Sequence, residues 1–138
     1  MLFRDKVVVV TGASSGIGKA VVELFLREGA TVVMVSRDET KGQAALEEMR
    51  GVSPSCAFFP CDVGNETQVR QLFQQIEANY GKLDVLHNNA GISAGRGLMD
   101  TSEEQWDEIL RVNLKGAFFC TKYAVPLLKK GDNKAVVN

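Results

Sequence analysis

The sequence predicts an α/β fold, a doubly wound parallel sheet with helices on both faces. Three observations carry this expectation. Strand-like and helix-like segments alternate along the whole chain. The first apolar segment, Val7-Val8-Val9-Val10, is a continuous β-branched run, as suits a parallel strand buried on both sides. A glycine-rich turn, Thr11 to Gly18, joins that run directly to a helical pattern.

Lys6 to Val10 is the first strand. Gly16 to Gly29 reads as a helix, with Ile17, Val21, Leu24 and Phe25 at helical spacing and Gly29 as its stop. Thr31 to Ser36 is a second buried strand. Glu39 to Arg50 is a helix with a polar outer face, closed by Gly51. Ser55 to Pro60 is a third strand. Glu66 to Tyr80 is amphipathic, with Val69, Leu72, Phe73, Ile76 and Tyr80 on one face. Leu83 to Asn88 is a fourth strand, and a glycine-rich loop follows from Gly91 to Gly97. Ser102, with Glu104 and Gln105 behind it, starts a helix running toward Lys130, and Gly131 ends it. Lys134 to Asn138 begins a fifth strand. Right-handed crossovers then place helices on both faces. No linker or repeat divides the chain, so residues 1–138 read as one domain.

Composition narrows the function classes. The chain has 138 residues, 45% hydrophobic and 24% charged, which is ordinary for a globular domain. A net charge of −1 leaves no basic footprint for nucleic acid. No run of about twenty apolar residues is present, so no membrane span is expected. Met1 to Lys6 has neither h-region nor cleavage site, and a cytoplasmic location is expected. Cys56, Cys61 and Cys120 lack metal-ligand spacing and read as reduced thiols; no metal site is expected.

Strand, glycine turn and helix in succession are the context of a dinucleotide-binding turn. Glycines permit positive φ and let backbone approach a pyrophosphate without an intervening Cβ. The helix start adds free N–H groups and the positive end of its dipole. Gly12, Ser14, Ser15, Gly16, Ile17 and Gly18 are the candidate contacts, the serines as hydroxyl donors. The bland alternative is a tight turn with no ligand. At the end of the second strand, an acidic residue usually selects NAD(H). Here Ser36 and Arg37 stand there, a small hydroxyl and a planar fork suited to phosphate. NADP(H) is therefore the preferred cofactor. Asp38 keeps NAD(H) possible, since it could turn inward to a ribose; Arg37 and Asp38 could also be a solvated loop pair.

The spacing Gly12-x-x-x-Gly16-x-Gly18, with Asn88-Asn89-Ala90-Gly91 downstream, resembles the short-chain dehydrogenase/reductase family over essentially the whole chain. The resemblance implies a Rossmann-type sheet and an NAD(P)-dependent oxidoreductase. It implies that Asp62 accepts from the adenine amino group and that Val63 packs on the ring; a turn or helix-cap role for Asp62 is the alternative. It implies that Asn89, with Ala90 and Gly91, lines the ribose side while Asn88 ties strands together. Asn113 matches the family's catalytic asparagine, whose main-chain carbonyl holds a relay water; a solvent-facing asparagine is the alternative. His87, where the family tends to have an apolar residue, reads as a hydrogen-bonded near-core histidine.

The family's remaining catalytic groups are a serine after the fifth strand and a tyrosine with lysine four residues on. Tyr80 is followed at that distance by Asp84, and Tyr123 by Leu127, so neither makes the pair. The chain is thus expected to be the amino-terminal part of a longer carbonyl–alcohol oxidoreductase, its domain incomplete after the fifth strand. The full-length form would take a small carbonyl or alcohol and form a homo-oligomer. The alternative is a non-catalytic fragment that binds nucleotide or a partner. Without the following helix, Phe118, Phe119, Val125 or Leu128 should be exposed and the fifth strand left as an edge.

Overall fold

The computed structural model describes residues 1–138. Five parallel strands form one sheet: β1 (Val7–Thr11), β2 (Thr31–Ser36), β3 (Cys56–Pro60), β4 (Val85–His87) and β5 (Ala135–Val137). Their order is β3-β2-β1-β4-β5, so the chain reverses direction of travel across the sheet between β1 and β4. The crossover helices are α1 (Gly16–Arg27), α2 (Glu39–Arg50), α3 (Glu66–Tyr80), α4 (Glu103–Leu110) and α5 (Gly116–Leu128).

Side chains alternate along a strand, so the valine run divides between two cores. Val7 and Val9 join Val33, Val35 and Leu86 against α3 and α5. Val8 and Val10 join Val32 and Met34 against α1 and α2. All five β1 residues are buried, as the β-branched run requires of a central strand.

The predicted α1 face needs correction. Gly18, Val22 and Leu26 are its buried residues, with Val21 and Phe25 partly covered. Ile17 and Leu24 are 74% and 64% exposed. The apolar pattern on α1 is wider than the stripe that touches the sheet, and Gly18 supplies the closest contact because it has no side chain. Gly29, φ +89°, ends the helix region as expected.

The helical stretch expected from Ser102 toward Lys130 is present without a break from Glu103 to Leu128, but its pitch is not uniform. Ser102 accepts from the Gln105 N–H at 3.1 Å, and Gln105 returns a bond to the Ser102 N–H at 2.9 Å, a full capping box. One wide π-helical turn, Arg111–Lys115, then separates α4 from α5. Such an insertion has no periodic signal in sequence, and it re-aims the residues on either side. Asn113 lies within it.

One buried carboxylate clamps the amino-terminal edge of the sheet. Asp84 is fully buried and accepts from the Val7 N–H at 2.8 Å, the Asp132 N–H at 2.7 Å and Lys82 Nζ at 3.1 Å. These bonds join β1 and the approaches to β4 and β5. Burial pushes its carboxyl up, but the donors from Asp132, Val7 and Lys82 outweigh this and hold it below the ordinary carboxylate range.

Beyond β4, strand β5 is an edge and all three of its residues are exposed. Phe118 and Val125 on α5 are exposed and Phe119 is partly covered, as expected. Leu128 differs: it is buried in the core with α3. No helix is long and apolar enough to cross a membrane.

Candidate functional site

An open cavity of about 480 Å³ lies at the carboxyl ends of β1, β2 and β4, where the reversal of strand order leaves a crevice. Its volume is in the range of small-molecule pockets. Of the residues predicted from the glycine turn, Gly12, Ser14, Ser15, Gly16 and Ile17 line it. Gly18 does not. It sits beneath the turn, where an added Cβ would collide with the Gly12 carbonyl oxygen. Gly12 and Gly16 have φ of +64° and +54°, the left-handed region that favours glycine.

Helix α1 opens onto this cavity uncapped. Ser15, its N-cap, makes no side-chain capping bond, and no acidic residue stands in the first turn. By contrast α2, α3 and α4 are capped by Asp38, Asn65 and Ser102. The free N–H groups of α1 face a space that suits an anion.

The turn is held from below by β4. Thr11 Oγ1 accepts from the N–H groups of Asn89 (3.0 Å) and Ala90 (2.9 Å). Asn89 Nδ2 donates to the carbonyls of Thr11 (3.1 Å) and Gly12 (3.2 Å). Thus Asn89 lines the cavity with Ala90 and Gly91, while its amide is spent on the turn itself. Thr11 opens the glycine-rich turn in the sequence, but its bonds to Asn89 and Ala90 span 78 and 79 positions, which no local motif encodes. Asn88 ties β4 outward: its Nδ2 donates to Thr121 Oγ1 at 3.1 Å and Asn138 Oδ1 at 2.8 Å.

At the other end, Ser36 and Arg37 both line the cavity. Ser36 Oγ is buried and has no hydrogen-bond partner in the protein, so a polar ligand group is its natural complement. Asp38 lines the cavity but spends its carboxylate on α2, accepting from the Lys41 N–H at 2.9 Å. Lys41 also lines the cavity. It was missed because nothing in a helix's first turn marks a lysine as inward; its place four residues after Arg37 is the only signal.

Asp62 and Val63 are in place along the third wall. The Asp62 carboxylate accepts from the Gly64 N–H at 2.9 Å, which makes the turn before α3; Asn65, not Asp62, caps that helix. Arg111 Nη1 reaches both Asp62 oxygens, at 2.9 and 3.1 Å. The same guanidinium grips Glu108 through Nε and Nη2, each at 2.8 Å. Those bonds hold the Glu108 carboxyl below its usual range. Glu108 in turn lies 4.0 Å from Arg37 Nη1. Sequence reading found neither partner, because α4 meets this wall only through the tertiary fold.

Asn113 is exposed, yet not free. Its Oδ1 accepts from the Ile92 N–H at 2.7 Å and its Nδ2 donates to the Ile92 carbonyl at 2.9 Å. The π-helical turn is thereby fastened to the loop after β4, beside Gly91. His87 is half-buried, and burial holds its imidazole below the usual range. Contrary to expectation its ring makes no hydrogen bond within the protein, while its carbonyl accepts from the Asn89 N–H at 3.0 Å and from Thr11 Oγ1 at 3.4 Å. All three cysteines are free and buried. Burial pushes the thiols of Cys61 and Cys120 up to about 12, which keeps them protonated.

The family model for short chain dehydrogenases matches residues 6–138. The chain is 41% identical, over 137 residues, to a 3beta-hydroxysteroid dehydrogenase of Mediterraneibacter gnavus, covering 99% of this chain and 49% of that protein. It is 37% identical to a 3-oxoacyl-(acyl-carrier-protein) reductase of Thermotoga maritima, covering 100% and 56%. A crystal structure of a Burkholderia xenovorans protein assigned to the short-chain dehydrogenase/reductases superposes with a TM-score of 0.87 at 34% identity, covering 93% of this chain and 53% of that one. The chain spans about half the length of the curated relatives it matches.

Proposed function

The chain belongs to the short-chain dehydrogenase family, and from that membership we propose that residues 1–138 are the cofactor-binding domain of an NADP(H)-dependent oxidoreductase interconverting a carbonyl and an alcohol. One observation carries the cofactor reading: the uncapped start of α1 and the unpartnered Ser36 hydroxyl, beside Arg37, share a single cavity. They offer two anion seats, one for a pyrophosphate and one for a 2′-phosphate. The fit extends to the floor, where a Cβ on Gly12 would come within 2.9 Å of Ala90 Cα and of Asn89 Nδ2.

In this reading the turn from Gly12 to Gly18 holds the pyrophosphate, and Ser36, Arg37 and Lys41 hold the 2′-phosphate. Asp62 and Val63 border the adenine. Asn89, Ala90 and Gly91 border the second ribose, and the Asn113 carbonyl holds a relay water. When bound, the nicotinamide cofactor supplies or accepts a hydride. A second reading, a non-catalytic piece that binds nucleotide or a partner, is favoured by the exposed row Leu110, Leu114 and Phe118.

Arg37→Ala should weaken NADPH binding selectively. Loss of a charge-assisted contact is worth about 1.5–3 kcal/mol, roughly tenfold to a hundredfold in affinity. Titration of the 138-residue chain by reduced-nicotinamide fluorescence, with NADH alongside, measures this. Equal losses for the two cofactors would refute the phosphate role of Arg37.

The purified chain itself should not oxidise NADPH in the presence of ketones or aldehydes. Its only tyrosines are Tyr80 and Tyr123, and neither borders the cavity. The Tyr123 hydroxyl is bonded to Glu66 at 2.8 Å. Without an acid for the developing alkoxide the reaction lacks its main proton source. Carbonyl-dependent loss of NADPH absorbance above the protein-free rate would contradict this assignment.

A further inference from the structure

We infer that Glu108 and Arg111, which do not line the cavity, are positioning residues that set how strongly the site favours a 2′-phosphorylated adenosine. This rests on the reading of Arg37 as the phosphate contact. The four side chains form one alternating row: Asp62, Arg111, Glu108, Arg37. Its formal charges cancel in pairs, so what Arg37 can offer a phosphate depends on its neighbours.

Glu108 lies 4.0 Å from Arg37. A phosphate arriving at Arg37 competes with that carboxylate for one guanidinium. Arg111 limits the competition, because its two 2.8 Å bonds engage both Glu108 oxygens and hold the carboxylate toward α4. The bidentate grip is geometrically fixed in a way the 4.0 Å approach is not. Arg111 also occupies the Asp62 carboxylate, which keeps that negative charge from adding to the repulsion of a phosphorylated ribose. The two residues therefore act on the same ligand group with opposite sign.

Glu108→Gln removes the competitor and should tighten 2′-phosphate binding. Arg111→Gln releases Glu108 toward Arg37, uncovers Asp62, and should weaken it. A purely structural role would make both substitutions weaken binding, and weaken it equally for ligands with and without the phosphate.

The test is isothermal titration of the 138-residue chain with adenosine 2′,5′-bisphosphate and with adenosine 5′-monophosphate, which differ only in the 2′-phosphate. The quantity read is the ratio of the two affinities. Exposed ion-pair energetics suggest that Glu108→Gln raises this ratio about two- to fivefold and that Arg111→Gln lowers it by a similar factor. Both shifts should shrink as ionic strength rises. Arg37→Ala serves as the reference. If it leaves the ratio unchanged, the phosphate reading of Arg37 fails and the inference fails with it. If Arg37→Ala lowers the ratio but the Glu108 and Arg111 variants do not move it in opposite directions, the phosphate reading stands and this inference is overturned.

Discussion

Gly18→Val is expected to abolish dinucleotide binding and to destabilise the domain. A Cβ at this position would collide with the Gly12 carbonyl oxygen and stand 2.5 Å from Asn89 Nδ2 and 2.9 Å from the Gly12 carbonyl carbon. The obstacles are the backbone of the turn and an amide already committed to Thr11 and Gly12. Neither can swing aside, so α1 must move off the turn or the turn must open. Overpacking of this kind costs about 1–3 kcal/mol, and the cavity loses its floor besides. Gly16→Ala is the contrast. Nothing lies within 4 Å of its added Cβ, but φ of +54° leaves a left-handed penalty of about 1–2 kcal/mol. Thermal unfolding and NADPH titration of both variants separate folding from binding. A folded Gly18→Val protein with undiminished NADPH affinity would mean that this glycine makes only a turn.

Asp84→Ala should be the most damaging change away from the cavity. It strips one fully buried acceptor from two backbone N–H groups and a lysine. Breaking a buried, paired charge of this kind costs about 3–5 kcal/mol, a large part of a small domain's stability. The same carboxylate gives a pH signature. Its pKa is lowered in the folded state, so its contribution is complete above the unfolded value of about 4 and is lost as pH falls through the folded value. The stability gap between the native chain and Asp84→Asn, from urea unfolding, should be constant near neutrality and close below about pH 4. A gap that persists unchanged into acid would show that packing, not charge, accounts for the residue.

Much of this was legible in the chain because local and global signals agree. The valine run, the positive-φ glycines and the face of α3 are each dictated by residues close in sequence. The Ser36–Arg37 end of the cavity was legible for the same reason, since it follows a strand end. What escaped was assembled from distance. Arg111 meets Asp62 across 49 positions, and Asp84 meets Val7 across 77. No short motif encodes either contact. The π-helical turn escaped for another reason: one extra residue in a helical repeat leaves the apolar pattern nearly intact. Leu128 was misjudged because a helix residue's exposure depends on the neighbour it faces, here α3.

The order β3-β2-β1-β4-β5 also bears on how ligand and folding are thermodynamically linked. Strands β1, β2 and β3 are neighbours both in sequence and in the sheet, whereas Val8 finds Val85 only after the intervening chain has looped back. That closure carries the larger entropic cost. The cavity straddles this seam, with the glycine turn on one side and Asn89 to Gly91 on the other. A nucleotide touching both sides has its full site only when the seam is shut. By mass action each increment of bound ligand then holds the two halves of the sheet together, so occupancy acts as a non-covalent staple across the least local joint in the molecule.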